Sequence, residues 1–129
     1  MKKKLVFLMS FGHCGIDWLH SLFDSHPQII IMPCFSFYRS WKLLNADCAK
    51  TTNAMHVIWM NYFNSEEMQG KESKQFYSLE EKERFAKKFL EELNNHGISR
   101  KTTLQSIILA YAWAKKINYG KIRVVMQHE

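Results

Sequence analysis

Cysteine is scarce in this chain and does not pair. Cys14, Cys34 and Cys48 make an odd total of three in 129 residues, no CxxC occurs, and no Cys/His group has zinc-ligand spacing. That pattern argues against a disulfide framework and a metal site. It suits reduced thiols in a cytoplasmic setting, with Cys34 and Cys48 expected to pack inside. Long apolar stretches are missing as well. The run Leu5 to Met9 follows Lys2, Lys3 and Lys4, but it is shorter than the core of a secretory leader, and Gly12-His13-Cys14 is a poor cleavage site. No stretch approaches transmembrane length. Acidic residues are the minority, 12 against 18 Lys and Arg, for a net charge of +6. Such a balance favours anionic ligands, whether nucleotides, nucleic acid, acidic glycans or acidic lipid. No long Lys/Arg run with interleaved aromatics appears, so nucleic acid is not an expected partner. Internal repeats and low-complexity tracts are absent too.

Apolar and aromatic residues are plentiful. Hydrophobic residues make up 47% and aromatics 14%, enough for one domain over residues 1–129 with a well-filled core. Leu5-Val6-Phe7-Leu8-Met9 reads as a strand covered on both faces of a parallel sheet. Ser10 to Gly15 carries two glycines in four positions and reads as a loop. Ile16, Leu19, Leu22 and Phe23 then fall at helical spacing, and His26-Pro27 closes that helix. Gln28 to Met32 is a second β-branched run, stopped by Pro33. The whole has the length of a βαβ crossover.

Ser36 to about Phe63 reads as irregular helix anchored by Trp41, Leu44, Met55, Ile58, Trp59 and Tyr62, with polar residues 45–53 dividing it. Residues 64–75 read as a surface loop. Ser78 and Glu81 form a capping box for a helix whose apolar face is Leu79, Ala86, Phe89, Leu90 and Leu93, ending at Gly97. Thr102 or Thr103 is expected to cap the next helix, with Leu104, Ile107, Ile108, Tyr111 and Ala112 inward and Gly120 as its stop. Lys121 to Gln127 reads as a third strand. The order β-α-β-(α)-α-α-β predicts an α/β fold, a parallel sheet flanked by helices. Three such strands with an edge at the final residues make a poor finished domain, so the sequence is expected to be the N-terminal part of one.

The chemistry is expected in the first loop. Where a buried strand turns into a helix, the first free N–H groups of the helix converge on one point and its dipole favours negative charge there. Gly12 and Gly15 let the backbone curl closely round an anion. The stretch Phe11-Gly12-His13-Cys14-Gly15-Ile16-Asp17-Trp18-Leu19, followed by His20-Ser21-Leu22-Phe23-Asp24-Ser25-His26-Pro27-Gln28-Ile29, resembles sulfotransferases. In that family the loop is written P-K-S-G-T-T-W-L or G-R-S-G-T-T-L-L, and the helix ends close to L-L-D-S-H-P-Q-I. The likeness covers residues 5–33; beyond Pro33 it is one of layout.

This resemblance implies a P-loop-like layout. It implies 3′-phosphoadenosine 5′-phosphosulfate (PAPS) as donor, and sulfuryl transfer to a hydroxyl or amine of an acceptor (carbohydrate, lipid, protein or small molecule). Gly12, His13, Cys14, Gly15, Ile16, Asp17 and Trp18 would cradle the phosphosulfate, with Gly15 at the motif glycine and Trp18 and Leu19 at its packing positions. The sequence departs from the motif at four places. His13 stands for Lys or Arg, Cys14 for Ser, and Ile16 and Asp17 for the two Thr. His13 carries only a fraction of a charge near neutral pH, and Asp17 brings a carboxylate to an anion site. No residue matches the family's distal 3′-phosphate site or its catalytic base; His128-Glu129 is more simply incidental.

Three other readings stay in view. The alternative is a truncated or degenerate, non-catalytic relative that binds an anion weakly or not at all. A phosphatase loop of H-C-x5-R type would use Cys14, but His20 stands where its Arg belongs. A nucleotide-hydrolase loop lacks its Lys and its glycine spacing. Phe35, Phe37, Tyr38 and Trp41 are candidates for an acceptor wall or, more simply, for the core.

Overall fold

In the computed structural model the described residues are 3–9, 21–23, 26–32, 36–65 and 78–128. Three strands, β1 (Lys4–Leu8), β2 (Ile29–Ile31) and β3 (Val124–His128), form one parallel sheet in the order β1-β3-β2. The chain therefore crosses from one edge to the other between β1 and β2, and the last strand fills the middle. Leu5 and Ile30 both align with Val125, and Val6 and Ile31 both align with Met126. A mixed α/β architecture with a parallel sheet is what the alternation of runs predicted.

Among the described residues four helices lie between β2 and β3: α1 (Phe37–Leu43), α2 (Thr52–Phe63), α3 (Leu79–His96) and α4 (Arg100–Ala114). The division of the 36–63 stretch has a local cause. Asn45 takes a left-handed φ of 52°, a 3-10 turn follows at Ala46–Cys48, and Thr51 Oγ1 accepts from the Ala54 N–H at 3.1 Å to start α2 afresh. Met55, Trp59 and Phe63 stand one turn apart on α2, and Phe85, Phe89 and Leu93 on α3; all six are buried. α4 is inward on most sides, burying Leu104, Ile107, Ile108, Ala110, Ala112 and Ala114 with Thr103 and Ser106. These helices share one core with Ile30, Met32 and Val125. Side chains alternate along a strand, so the helices cover that sheet face, while Ile31 and Met126 are buried on the other.

Charges hold α3 and α4 antiparallel. Arg84 donates to the Ala114 carbonyl, Lys115 meets the Glu81 carboxylate at 2.8 Å, and both contacts complement the helix dipoles. Glu92, almost fully buried, is held by Lys88 at 2.9 Å and His96 at 3.1 Å, while Glu91 and Glu92 raise the Lys88 ammonium above its ordinary range. His56 rests against Phe89 and sits 2.9 Å from the Ala86 carbonyl, so it is spent on packing.

Several expectations are corrected. β1 is not covered: with β3 on one side only among the described residues, Leu5, Val6 and Phe7 are exposed on both faces. The cap of α4 is Ser99, whose Oγ accepts from the Thr102 N–H at 3.2 Å; Thr103 is buried one turn further in. Leu79 opens α3 facing solvent, and Phe85 takes its place in the apolar stripe. α4 ends at Ala114, where Lys116 adopts a φ of 57°, before Gly120 is reached. Cys48 is exposed rather than packed.

Gly97 does close α3 as expected, at φ 83° and ψ −171°. That region is essentially reserved for glycine, so Gly97→Ala is expected to cost roughly 1–3 kcal/mol although an added Cβ would touch nothing within 4 Å. Urea denaturation would read this as a lower midpoint at unchanged slope; an unchanged midpoint would count against strain.

Candidate functional site

Parallel pairing brings the carboxyl ends of all three strands to one edge of the sheet. Leu8 aligns with His128, Phe7 with Gln127, and the Met32 N–H donates to the Met126 carbonyl at 3.0 Å, so the ladder runs evenly to that edge. In α/β sheets this is where ligands bind. Gln127, on the central strand beside Phe7, is fully buried there.

The aromatics after β2 divide cleanly. Phe37 and Trp41 are buried: Phe37 stacks on Trp59 at 5.2 Å with planes 5° apart, and Trp41 lies 5.6 Å from Phe37. They belong to the core. Tyr38 keeps 45% of its surface exposed and touches Phe7, whose ring centroid is 5.7 Å away, at the carboxyl end of the edge strand. Arg39 follows, also exposed, with its N–H capped by Ser36 Oγ at 3.2 Å. An exposed phenol thus stands in the first turn of α1 against the end of β1, with exposed Arg39 next to it in sequence. Neither sequence spacing nor composition marked Arg39. Its signal was positional, a cation two residues into a helix that follows a strand end.

The loop residues Gly12, His13, Cys14, Gly15, Ile16, Asp17 and Trp18 lie outside the described residues, as do Phe35 and Glu129. On either side of that loop the chain is set. β1 delivers it at Leu8 and Met9, and residues 21–23 are helical, leading through Pro27 into β2. The turn before β2 is pinned by two bonds: the Ile29 N–H donates to the His26 carbonyl at 3.2 Å, and the Gln28 N–H to His26 Nδ1 at 3.1 Å. His26 therefore serves the turn, as its place before proline suggested.

Among the described residues no group of three His, Cys, Asp or Glu side chains is arranged to hold a metal ion. No helix among them is long and apolar enough to cross a membrane. Comparison with protein-family models, with curated proteins and with solved structures finds no match to this chain.

Proposed function

We propose that the chain is a sulfotransferase-like protein that holds the 5′-phosphosulfate of PAPS in the loop Gly12–Trp18 and transfers its sulfuryl group to a hydroxyl or amine. The observation that carries this reading is the direction of β1. It runs parallel to β3 and releases the chain at the carboxyl edge, and the residues that leave there carry the resemblance to the sulfotransferase loop. Helical residues 21–23 support a strand–loop–helix order across it. Sulfuryl transfer, like phosphoryl transfer, is driven mainly by positioning and charge stabilisation. A cradle of amides could therefore do most of the work, and Arg39, exposed in the first turn after β2, would add a permanent positive charge. Tyr38 would border the acceptor.

A second reading is favoured by the loop's own composition. Ile16 and Asp17 remove two hydroxyls and add a carboxylate where the family places Thr, which suits a relative that keeps the βαβ unit without catalysis. Calorimetric titration with 3′-phosphoadenosine 5′-phosphate separates the two. Binding heat that disappears in Gly15→Trp, with the melting temperature of the unliganded protein retained, is the expected result. No heat at millimolar nucleotide would leave the second reading in possession.

A further inference from the structure

We propose that the opposite, amino edge of the sheet is a docking face for an anionic phospholipid surface. β1 starts at Lys4, and a 3-10 turn at Tyr119–Lys121 leads through Ile122 and Arg123 into β3. The two stretches lie side by side. Lys3 Nζ donates to the carbonyls of Tyr119 and Ile122, both at 2.9 Å, and the Lys4 N–H donates to the Arg123 carbonyl at 2.9 Å. Four cations from distant parts of the sequence, Lys3, Lys4, Lys121 and Arg123, are thereby gathered at one end of the sheet. Lys4, Lys121 and Arg123 are exposed, and Lys3 lies half-buried with its ammonium 4.4 Å from the Tyr119 ring centre.

The sequence leading into this end is one-signed. Residues 115–123 contain Lys115, Lys116, Lys121 and Arg123 and not a single Asp or Glu. The carboxylates that open α3, Glu80 and Glu81, are engaged by Arg84 and Lys115.

The chemistry of the cluster selects its partner. Two of the three exposed cations are lysines, hydrated point charges on flexible stems that suit dispersed headgroup phosphates better than one phosphate of fixed geometry. Tyr119, the aromatic of the cluster, is half-buried beneath Lys3 and offers little face for stacking bases. Directly after Lys4 come Leu5 and Val6, 46% and 37% exposed, one on each face of the edge strand. Basic groups beside apolar side chains supply the two signals that stable attachment to a lipid surface needs. Docked this way, the protein would turn its carboxyl edge toward solvent, open to a soluble ligand. The inference does not depend on what the first loop binds.

The test is co-sedimentation with vesicles of phosphatidylcholine alone or with about 30% phosphatidylserine, at rising salt. Binding is expected only with phosphatidylserine, weakening as salt rises. Each cation at such a surface multiplies partitioning roughly five-fold, so Lys4→Glu with Lys121→Glu should lose at least about 25-fold. Lys50→Glu with Lys101→Glu makes the same change in net charge at the far end of α3 and α4, an end tied by Thr52 to Asn94 and Arg100 to Asp47. That pair should keep binding. Failure of the unaltered protein to sediment with phosphatidylserine vesicles would overturn the proposal. So would equal losses in the two double variants, or tighter binding to a DNA duplex at the same salt.

Discussion

Trp59→Ala is expected to remove roughly 3–5 kcal/mol of stability, the upper range for deleting a buried aromatic. Trp59 is completely buried in the middle of α2 and sits at the junction of an aromatic series. Its ring stacks on Phe37 at 5.2 Å, lies 6.4 Å from Trp41 and 5.7 Å from Phe63, and meets Tyr62 edge-on at 5.8 Å. Phe63 hands the series on to Phe85 at 5.3 Å, and Phe85 to Phe89 at 5.7 Å. Trp59 thus joins α1 to α2, with Phe63 carrying the series on to α3, and no single neighbour can move in to fill its volume, because each is fixed by the next. Against a total stability of about 5–15 kcal/mol for a domain of this size, the loss would leave much of the protein unfolded in mild denaturant. Val57, two residues away and 54% exposed, provides the contrast: Val57→Ala should stay within about 0.5 kcal/mol. Chemical denaturation followed by tryptophan-independent circular dichroism would measure both. A Trp59→Ala loss no larger than that of Val57→Ala would mean that the aromatic series contributes little.

The elements that sequence reasoning located well are those whose signal is local. Ser78 three residues before Glu81, Gly97 at the close of α3, and the β-branched run at Ile29–Ile31 each fix backbone conformation through neighbouring atoms, and the fold keeps all three. What the sequence hid are the outcomes of tertiary neighbourhood. Leu5, Val6 and Phe7 read as a doubly covered strand because a run of apolar residues carries no record of its sheet position; placed at the edge, they are half-open. Leu79 fits the apolar period of α3 but stands on its first turn, beyond the reach of the core. Ser99 and Thr102 are both good caps by type, and the choice of Ser99 follows from one more turn of α4, in which Thr102 Oγ1 bonds back to the Gly97 carbonyl at 2.9 Å. Tyr38 and Phe37 are adjacent aromatics of nearly the same shape, and only the helix they begin decides that one faces Trp59 and the other meets Phe7 near the carboxyl edge. At the candidate site, the first loop, read from its glycines and its resemblance, lies outside the described residues, while Arg39 had no sequence signal beyond its distance from a strand end.

On the proposal that the first loop holds the phosphosulfate, Asp17→Asn is the substitution expected to change ligand affinity most, and its direction is upward. The sulfotransferase motif carries Thr at this position, and a hydroxyl there can donate to an anion; a carboxylate can only accept and repels it. At a separation of about 4 Å and an effective dielectric near 20, two like charges oppose each other by about 4 kcal/mol before any relaxation. Allowing for a partial turn of the side chain toward water, relief of even a third of that amounts to about ten-fold in affinity. Asp17→Asn should therefore tighten binding of 3′-phosphoadenosine 5′-phosphate by at least about ten-fold, with Asp17→Thr restoring a donor and gaining as much or more. The same aspartate has a competing reading from the sequence, as an acid in the first turn of a helix, where it would complement the dipole by about 0.3–1 kcal/mol. The two roles predict opposite signatures. A carboxylate at the mouth of the cradle makes the variants bind more tightly with little change in melting temperature. A carboxylate serving only the helix makes them melt lower with unchanged affinity, and that pair of results would remove Asp17 from the ligand's path.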